Sequence, residues 1–93
     1  MPSIDISQRT TVTPQEARQR LELLQGELEQ RFGLTPTWIS PTQAEVRRAG
    51  ASGTLRIEPN RVDAHIDLSF ALTPLRGRIE SEIRRRLAEL FAD

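Results

Sequence analysis

The segment from Arg61 to Phe70 alternates without a break. Val62, Ala64, Ile66, Leu68 and Phe70 fall on one side, and Arg61, Asp63, His65, Asp67 and Ser69 on the other. A period of two marks a strand with one buried face and one wet face. A sheet built on such a strand must find a cover for its apolar side. Two other segments have the pattern of that cover. Ala17, Leu21, Leu24, Leu28 and Phe32 recur at helical spacing, with Leu23 widening the stripe. Leu75, Ile79, Ile83, Leu87 and Leu90 do the same near the C-terminus, with Phe91 beside them.

The boundaries of these segments are written in cap and turn residues. Thr13-Pro14-Gln15-Glu16 has the form of a capping box with proline at the first helical position. Gly33 follows Phe32 and suits the left-handed position beyond a helix end. Thr73-Pro74 is the expected start of the second helix, with Thr73 as N-cap. Further strands are expected over Ser3 to Arg9, Thr35 to Ser40, Ala44 to Arg47 and Thr54 to Glu58. The turns between them are Pro41-Thr42-Gln43, the small-residue run Ala49 to Gly53, and Pro59-Asn60. Opposite charges at helical spacing (Glu16/Arg20, Arg18/Glu22, Glu27/Arg31, Arg76/Glu80, Arg78/Glu82, Glu80/Arg84, Glu82/Arg86, Arg85/Glu89) predict ion pairs along each wet helix face.

The order is therefore β-α-β-β-β-β-α, in one domain spanning residues 1–93. Two amphipathic helices need one sheet face for their stripes. The expected fold is a two-layer α+β architecture: an antiparallel five-stranded sheet with both helices on one face. The other face would carry Asp5, Glu45, Arg47, Arg56, Glu58, Asp63, His65 and Asp67.

Composition narrows the chemistry. Cysteine is absent, which removes disulfides, thiolate catalysis and Cys-based zinc sites. Thirteen basic residues balance thirteen acidic ones, which argues against nucleic acid or an anionic membrane as a partner. All thirteen basic residues are arginine; coding bias explains this more simply than selection for phosphate binding. No apolar run is long enough for a transmembrane helix. The first five residues show neither a basic patch nor an apolar core, so no secretory leader is expected and the protein is placed in the cytoplasm.

No catalytic constellation emerges. Asp63-x-His65-x-Asp67 puts two carboxylates and the one imidazole on one strand face, roughly 7 Å apart in succession. That spacing disperses them, and no second histidine is present, so a solvated face with cross-strand arginine pairs is the simpler reading. There is no Gly-x-Ser-x-Gly elbow and no local serine–histidine pairing. Gly50-Ala51-Ser52-Gly53 has the GxxG spacing of a nucleic-acid clamp, but it joins strands rather than helices and reads as a tight turn. No catalytic, metal or cofactor residue is assigned, and no cofactor is expected. The candidate interaction surface comprises Trp38, Arg47, Arg56, His65 and the run Arg84, Arg85 and Arg86. Trp38 belongs to the core by default and becomes an interface anchor only if it faces solvent.

Four stretches carry a family resemblance: the helix end Phe32-Gly33-Leu34; Arg48-Ala49-Gly50-Ala51-Ser52-Gly53-Thr54-Leu55-Arg56-Ile57; Leu68-Ser69-Phe70-Ala71-Leu72; and Ile79-Glu80-Ser81-Glu82-Ile83. With the short N-terminal strand, they make the chain resemble, over nearly its full length, the small bacterial family of polyhydroxyalkanoic acid system proteins. The resemblance implies a process, polyester granule association or regulation, rather than a reaction. It implies a non-enzymatic accessory protein whose partners are other proteins or the polyhydroxyalkanoate granule surface, present as a monomer or weak homodimer. The element order also looks like a reduced helix-grip fold, whose larger members hold apolar ligands between sheet and helix. That leaves a small apolar-ligand carrier as one alternative and a nucleic-acid-binding regulator as another. Against the carrier, Leu55, Ile57, Ile66, Leu68, Ile79 and Ile83 are expected to fill the space.

Overall fold

The computed structural model describes residues 3–91. Strand β1 (Ser3–Arg9) leads to helix α1 (Pro14–Phe32). Strands β2 (Thr35–Ser40), β3 (Gln43–Arg48), β4 (Ala51–Glu58) and β5 (Arg61–Leu68) follow. A 3-10 segment, Phe70–Leu75, then runs into helix α2 (Arg76–Leu90). The strands form one antiparallel sheet in the order β1-β5-β4-β3-β2. The expected α+β class, element order and five-strand sheet are what the structure shows.

Helix α1 begins and ends as its caps dictate. The Thr13 hydroxyl accepts a hydrogen bond from the Glu16 amide at 3.2 Å, and Pro14 opens the first turn. Gly33 takes φ 69°, its amide donates to the Glu29 carbonyl, and the Leu34 amide donates to the Leu28 carbonyl. This left-handed closure, with the C′ amide bonded back to Glu29, turns the chain into β2 and buries Leu34.

One face of the sheet is apolar along aligned rows. Ile6, Ala64, Leu55, Ala44 and Trp38 form one row; Ile4, Ile66, Gly53, Val46 and Pro36 form the next. Large and small side chains alternate in the first row, which lets the helix side chains settle between them. Ala17, Leu21, Leu24, Leu28 and Phe32 from α1 and Ile79, Ile83 and Leu87 from α2 join this face in one buried cluster. Leu55, Ile57, Ile66, Leu68, Ile79 and Ile83 are all buried in it, as expected.

Several expectations change. Leu23 does not widen the α1 stripe: it is 61% exposed on the far side of the helix, and Gln25 is buried instead. Position 25 falls beside Leu21 and Leu28 on the helical wheel, whereas 23 falls opposite them. Phe70 does not extend the inner face of β5. The strand ends at Leu68, the chain bends into the 3-10 segment, and Phe70 is 83% exposed. Thr73 and Pro74 lie inside that segment, and the Thr73 hydroxyl donates to the Ser69 carbonyl. Helix α2 accordingly starts at Arg76, preceded by Leu75, with no side-chain cap. The turn expected over Ala49 to Gly53 contracts to Ala49-Gly50, because Ala51 already pairs with Arg48. Only the first glycine of the GxxG run has positive φ, Gly50 at 85°. Gly53 is a strand residue.

Two predicted helix-face pairs become bridges between the helices. Glu27 and Arg31 turn toward α2: Arg86 Nε donates to Glu27 at 2.7 Å and Arg31 donates to Glu82 at 2.8 Å. Glu16–Arg20 and Arg85–Glu89 form within their helices at 2.9 and 2.8 Å, while Arg18–Glu22 and Arg76–Glu80 are looser, at 3.8 Å each.

Candidate functional site

The helices cover one side of the sheet and leave the other open. Register aligns that open side in three rows across all five strands. The middle row is Asp5, His65, Thr54, Glu45 and Thr37. On one side lie Ser3, Asp67, Ser52, Arg47 and Thr35; on the other, Ser7, Asp63, Arg56, Gln43 and Ser40. Every position in these rows is polar, so the face is made for water or a polar partner.

His65 sits near the middle of this face. Its Nδ1 lies 2.5 Å from Asp5 Oδ1 on β1, and its Nε2 lies 3.1 Å from Asp67 Oδ1 on its own strand. The hydrogen bond to Asp5 is the main reason the imidazole pKa is raised above its ordinary value; burial opposes it, and the charges of Asp5 and Asp67 add to it. The cross-strand partner of His65 is therefore a carboxylate, while the cross-strand arginine expected on this face stands opposite Asp63: Arg56 on β4. Asp63 is held in turn by the Ser7 hydroxyl at 2.7 Å and by Arg61 Nε at 3.1 and 3.0 Å to its two oxygens. Partial burial pushes its pKa up, but these hydrogen bonds and the charges of Arg61 and Arg56 outweigh it and bring the carboxyl below its ordinary value.

The short side chain of Thr54 leaves depressions to either side. One, about 250 Å³, is lined by Thr54, Arg56, Asp63 and His65. The other, about 160 Å³, is lined by Glu45, Arg47, Ser52, Gly53, Thr54, His65 and Asp67. Both are shallow and open to solvent. By contrast, the crevice between the helices, where Leu24, Leu28 and Phe32 meet Glu27, Arg31, Glu82 and Arg86, offers about 10 Å³. An apolar ligand has no room there.

The candidate surface residues divide among three places. Arg47, Arg56 and His65 share the open face. Trp38 lies on the opposite, helix-covered face of edge strand β2, where it is half-buried. Its Nε1 donates to Gln25 Oε1 at 3.1 Å, and the Arg18 guanidinium stacks 4.7 Å from the ring centre. Arg84, Arg85 and Arg86 ride on α2. Arg85 pairs with Glu82 and Glu89, and Arg86 with Glu27 and Glu89, while Arg84 is exposed. Sequence reasoning missed Asp5 as the partner of His65. The signal was present: two alternating strands, each with a polar residue at its centre, can pair in only a few registers.

The solved structures include one of like fold, the NMR structure of PA4090 from Pseudomonas aeruginosa. It has a TM-score of 0.61 at 11% sequence identity, with 100% of this chain and 88% of that chain covered. At that identity the likeness concerns the fold alone. The comparison with curated proteins returns no match. The family comparison matches residues 4–91, from the first strand to the end of the last helix. By that match the chain belongs to the family described as "Putative polyhydroxyalkanoic acid system protein".

Proposed function

We propose that this protein is a non-enzymatic, cytoplasmic accessory protein of polyhydroxyalkanoate granules. It acts in granule association or regulation through surface contacts, as a monomer or weak homodimer. The observation that carries the reading is family membership over residues 4–91, on a fold whose polar sheet face is left uncovered. The state of the polar groups on that face supports contact over catalysis. Both ring nitrogens of His65 are engaged by carboxylates, and Asp63 is engaged by Ser7 and Arg61. A general base needs a free lone pair aimed at a reacting proton, and His65 is held in a different arrangement.

The sheet edges favour the face over edge pairing as the contact surface. Strand β2 carries Pro36 and an irregularity between Trp38 and Ser40. On β1 the Ser3 carbonyl is taken by Arg76. Both features blunt an edge against strand addition. The experiment is granule isolation from a polymer-producing strain with the protein tagged, followed by capture of its partners. Enrichment with granules or granule proteins is expected. Consistent absence from both would reject the reading.

A further inference from the structure

Three large apolar side chains are exposed among the described residues: Leu23, Ile39 and Phe70. Leu23 stands alone among glutamine and glutamate on the back of α1, and Ile39 lies in the irregular end of an edge strand. Isolated residues of that kind are ordinary surface. Phe70 differs in three ways. It is the most exposed of the three, at 83%. It opens a stretch of six residues, Phe-Ala-Leu-Thr-Pro-Leu, without a charge. The backbone beneath it is also fixed. The Ser69 amide donates to the Gly50 carbonyl at 2.7 Å, and the Ser69 carbonyl accepts from the Leu72 amide and the Thr73 hydroxyl.

Leu72 and Leu75 of this stretch pack against the core, while Phe70, Ala71 and Pro74 face solvent beside the exposed Ala49-Gly50 turn. Two arginines flank this end of the molecule and are tied to backbone carbonyls: Arg48 to Phe32 at 2.6 Å and Arg76 to Ser3 at 3.0 Å. Asp67 and Glu80 are the nearest acids in the chain on either side of the stretch. The result is a rigid uncharged tip with an aromatic ring at its front and guanidinium donors behind it.

We propose that this tip is the contact that seats the protein on the polyester itself, with the Phe70 ring entering the polymer surface. The proposal rests on the granule role put forward above and names the surface contacted. An aliphatic polyester is apolar, uncharged and rich in carbonyl acceptors. A charge-free tip meets it without stripping water from an ion. The ring gains by leaving water, while the guanidinium groups of Arg48 and Arg76, held back on the Phe32 and Ser3 carbonyls, keep their water behind it.

The test is sedimentation of the purified full chain with amorphous poly(3-hydroxybutyrate) particles, and in parallel with neutral phosphatidylcholine vesicles. Wild-type protein is expected to partition onto the particles. Phe70→Ser should weaken that partition by about 10- to 100-fold, the range for transferring a large apolar side chain out of water. Phe70→Trp should restore it, and Leu23→Ser should leave it unchanged. Because Phe70 is exposed, the urea midpoint of each variant should match wild type, which separates lost binding from lost fold. Undiminished binding by Phe70→Ser overturns the proposal. So does equal, Phe70-dependent binding to the vesicles, which would make the surface a lipid. If the protein travels with native granules but does not bind bare particles, the tip is refuted and the accessory role stands. Phe70-dependent binding to bare particles without granule association in cells supports the tip contact and refutes that role.

Discussion

Replacing Gly53 by alanine tests the packing of the central strand. Gly53 faces the helices from β4, with Ile66 opposite it on β5 and Val46 on β3. A methyl group there would fall inside van der Waals contact of the His65 carbonyl oxygen, and would stand 2.9 Å from Ile66 Cγ1 and 3.1 Å from Ile66 Cα. Ile66 is 1% exposed and has no free space to rotate into, and the backbone oxygen cannot move without disturbing the β4–β5 ladder. Overpacking of this sort costs about 1–3 kcal/mol. Against it stands a gain of about 0.4–1 kcal/mol from the lower unfolded-chain entropy of alanine. Because the closest clash is with a backbone oxygen that cannot yield, the cost lies in the upper half of that range, and the net expectation is destabilisation of about 1–2.5 kcal/mol, or a melting temperature lower by about 4–20 °C for a domain of this size. Gly26→Ala is the control. That position is an exposed helix interior with nothing within 4 Å of the added carbon, so alanine should stabilise by about 1 kcal/mol. Urea unfolding followed by far-UV circular dichroism gives both numbers. A Gly53→Ala variant as stable as wild type, with an unchanged m-value, would refute the packing argument.

His65 should titrate above its ordinary value of 6.5 when followed by NMR of its ring proton, and Asp5→Asn should bring the midpoint back down. An unshifted midpoint in wild type would contradict the Asp5 bond. Because the folded value is the higher one, the stability this group contributes is complete below the ordinary pKa and fades as pH rises through the folded value. Asp63 has the opposite sign: its contribution holds above its ordinary value of 3.8 and is lost as pH falls through its lower folded value. Ile83→Ala, at a fully buried site between α2 and the sheet, should cost about 2–5 kcal/mol in the same urea experiment. A loss below about 1 kcal/mol would mean that α2 is not seated on the sheet as described.

Residues whose structure depends on their neighbours in the chain were legible in advance. Thr13-Pro14 and Gly33 bound α1 at the positions their own chemistry favours, because capping involves atoms within a few residues. The alternation of β4 and β5 and the apolar stripe of α2 likewise state which side must be buried. The second helix begins at Arg76 rather than at the local start signal Thr73-Pro74, and the reason is tertiary. The Ser69 carbonyl engages Thr73, and Leu72 is drawn against the Gly50 turn, so the chain coils tightly before α2 begins. Glu27 and Arg31 have the right spacing to bind each other, but each finds a partner on α2, a helix some fifty residues on in the chain. His65 is a similar case. Its own strand shows Asp63 and Asp67, while Asp5, the group that chiefly raises its pKa, arrives from the far end of the sequence through β1–β5 pairing.

The sequence alone determined the element types, the two-layer class and the family likeness, since periodicity and caps are local and each stripe demands burial wherever the chain leads it. The tertiary structure decided what those local rules leave free: Trp38 turned to the helices, His65 clasped between two carboxylates, Phe70 left outside. In each case the outcome depends on strand register or on where a chain reversal ends, and both are set by contacts between segments far apart in sequence.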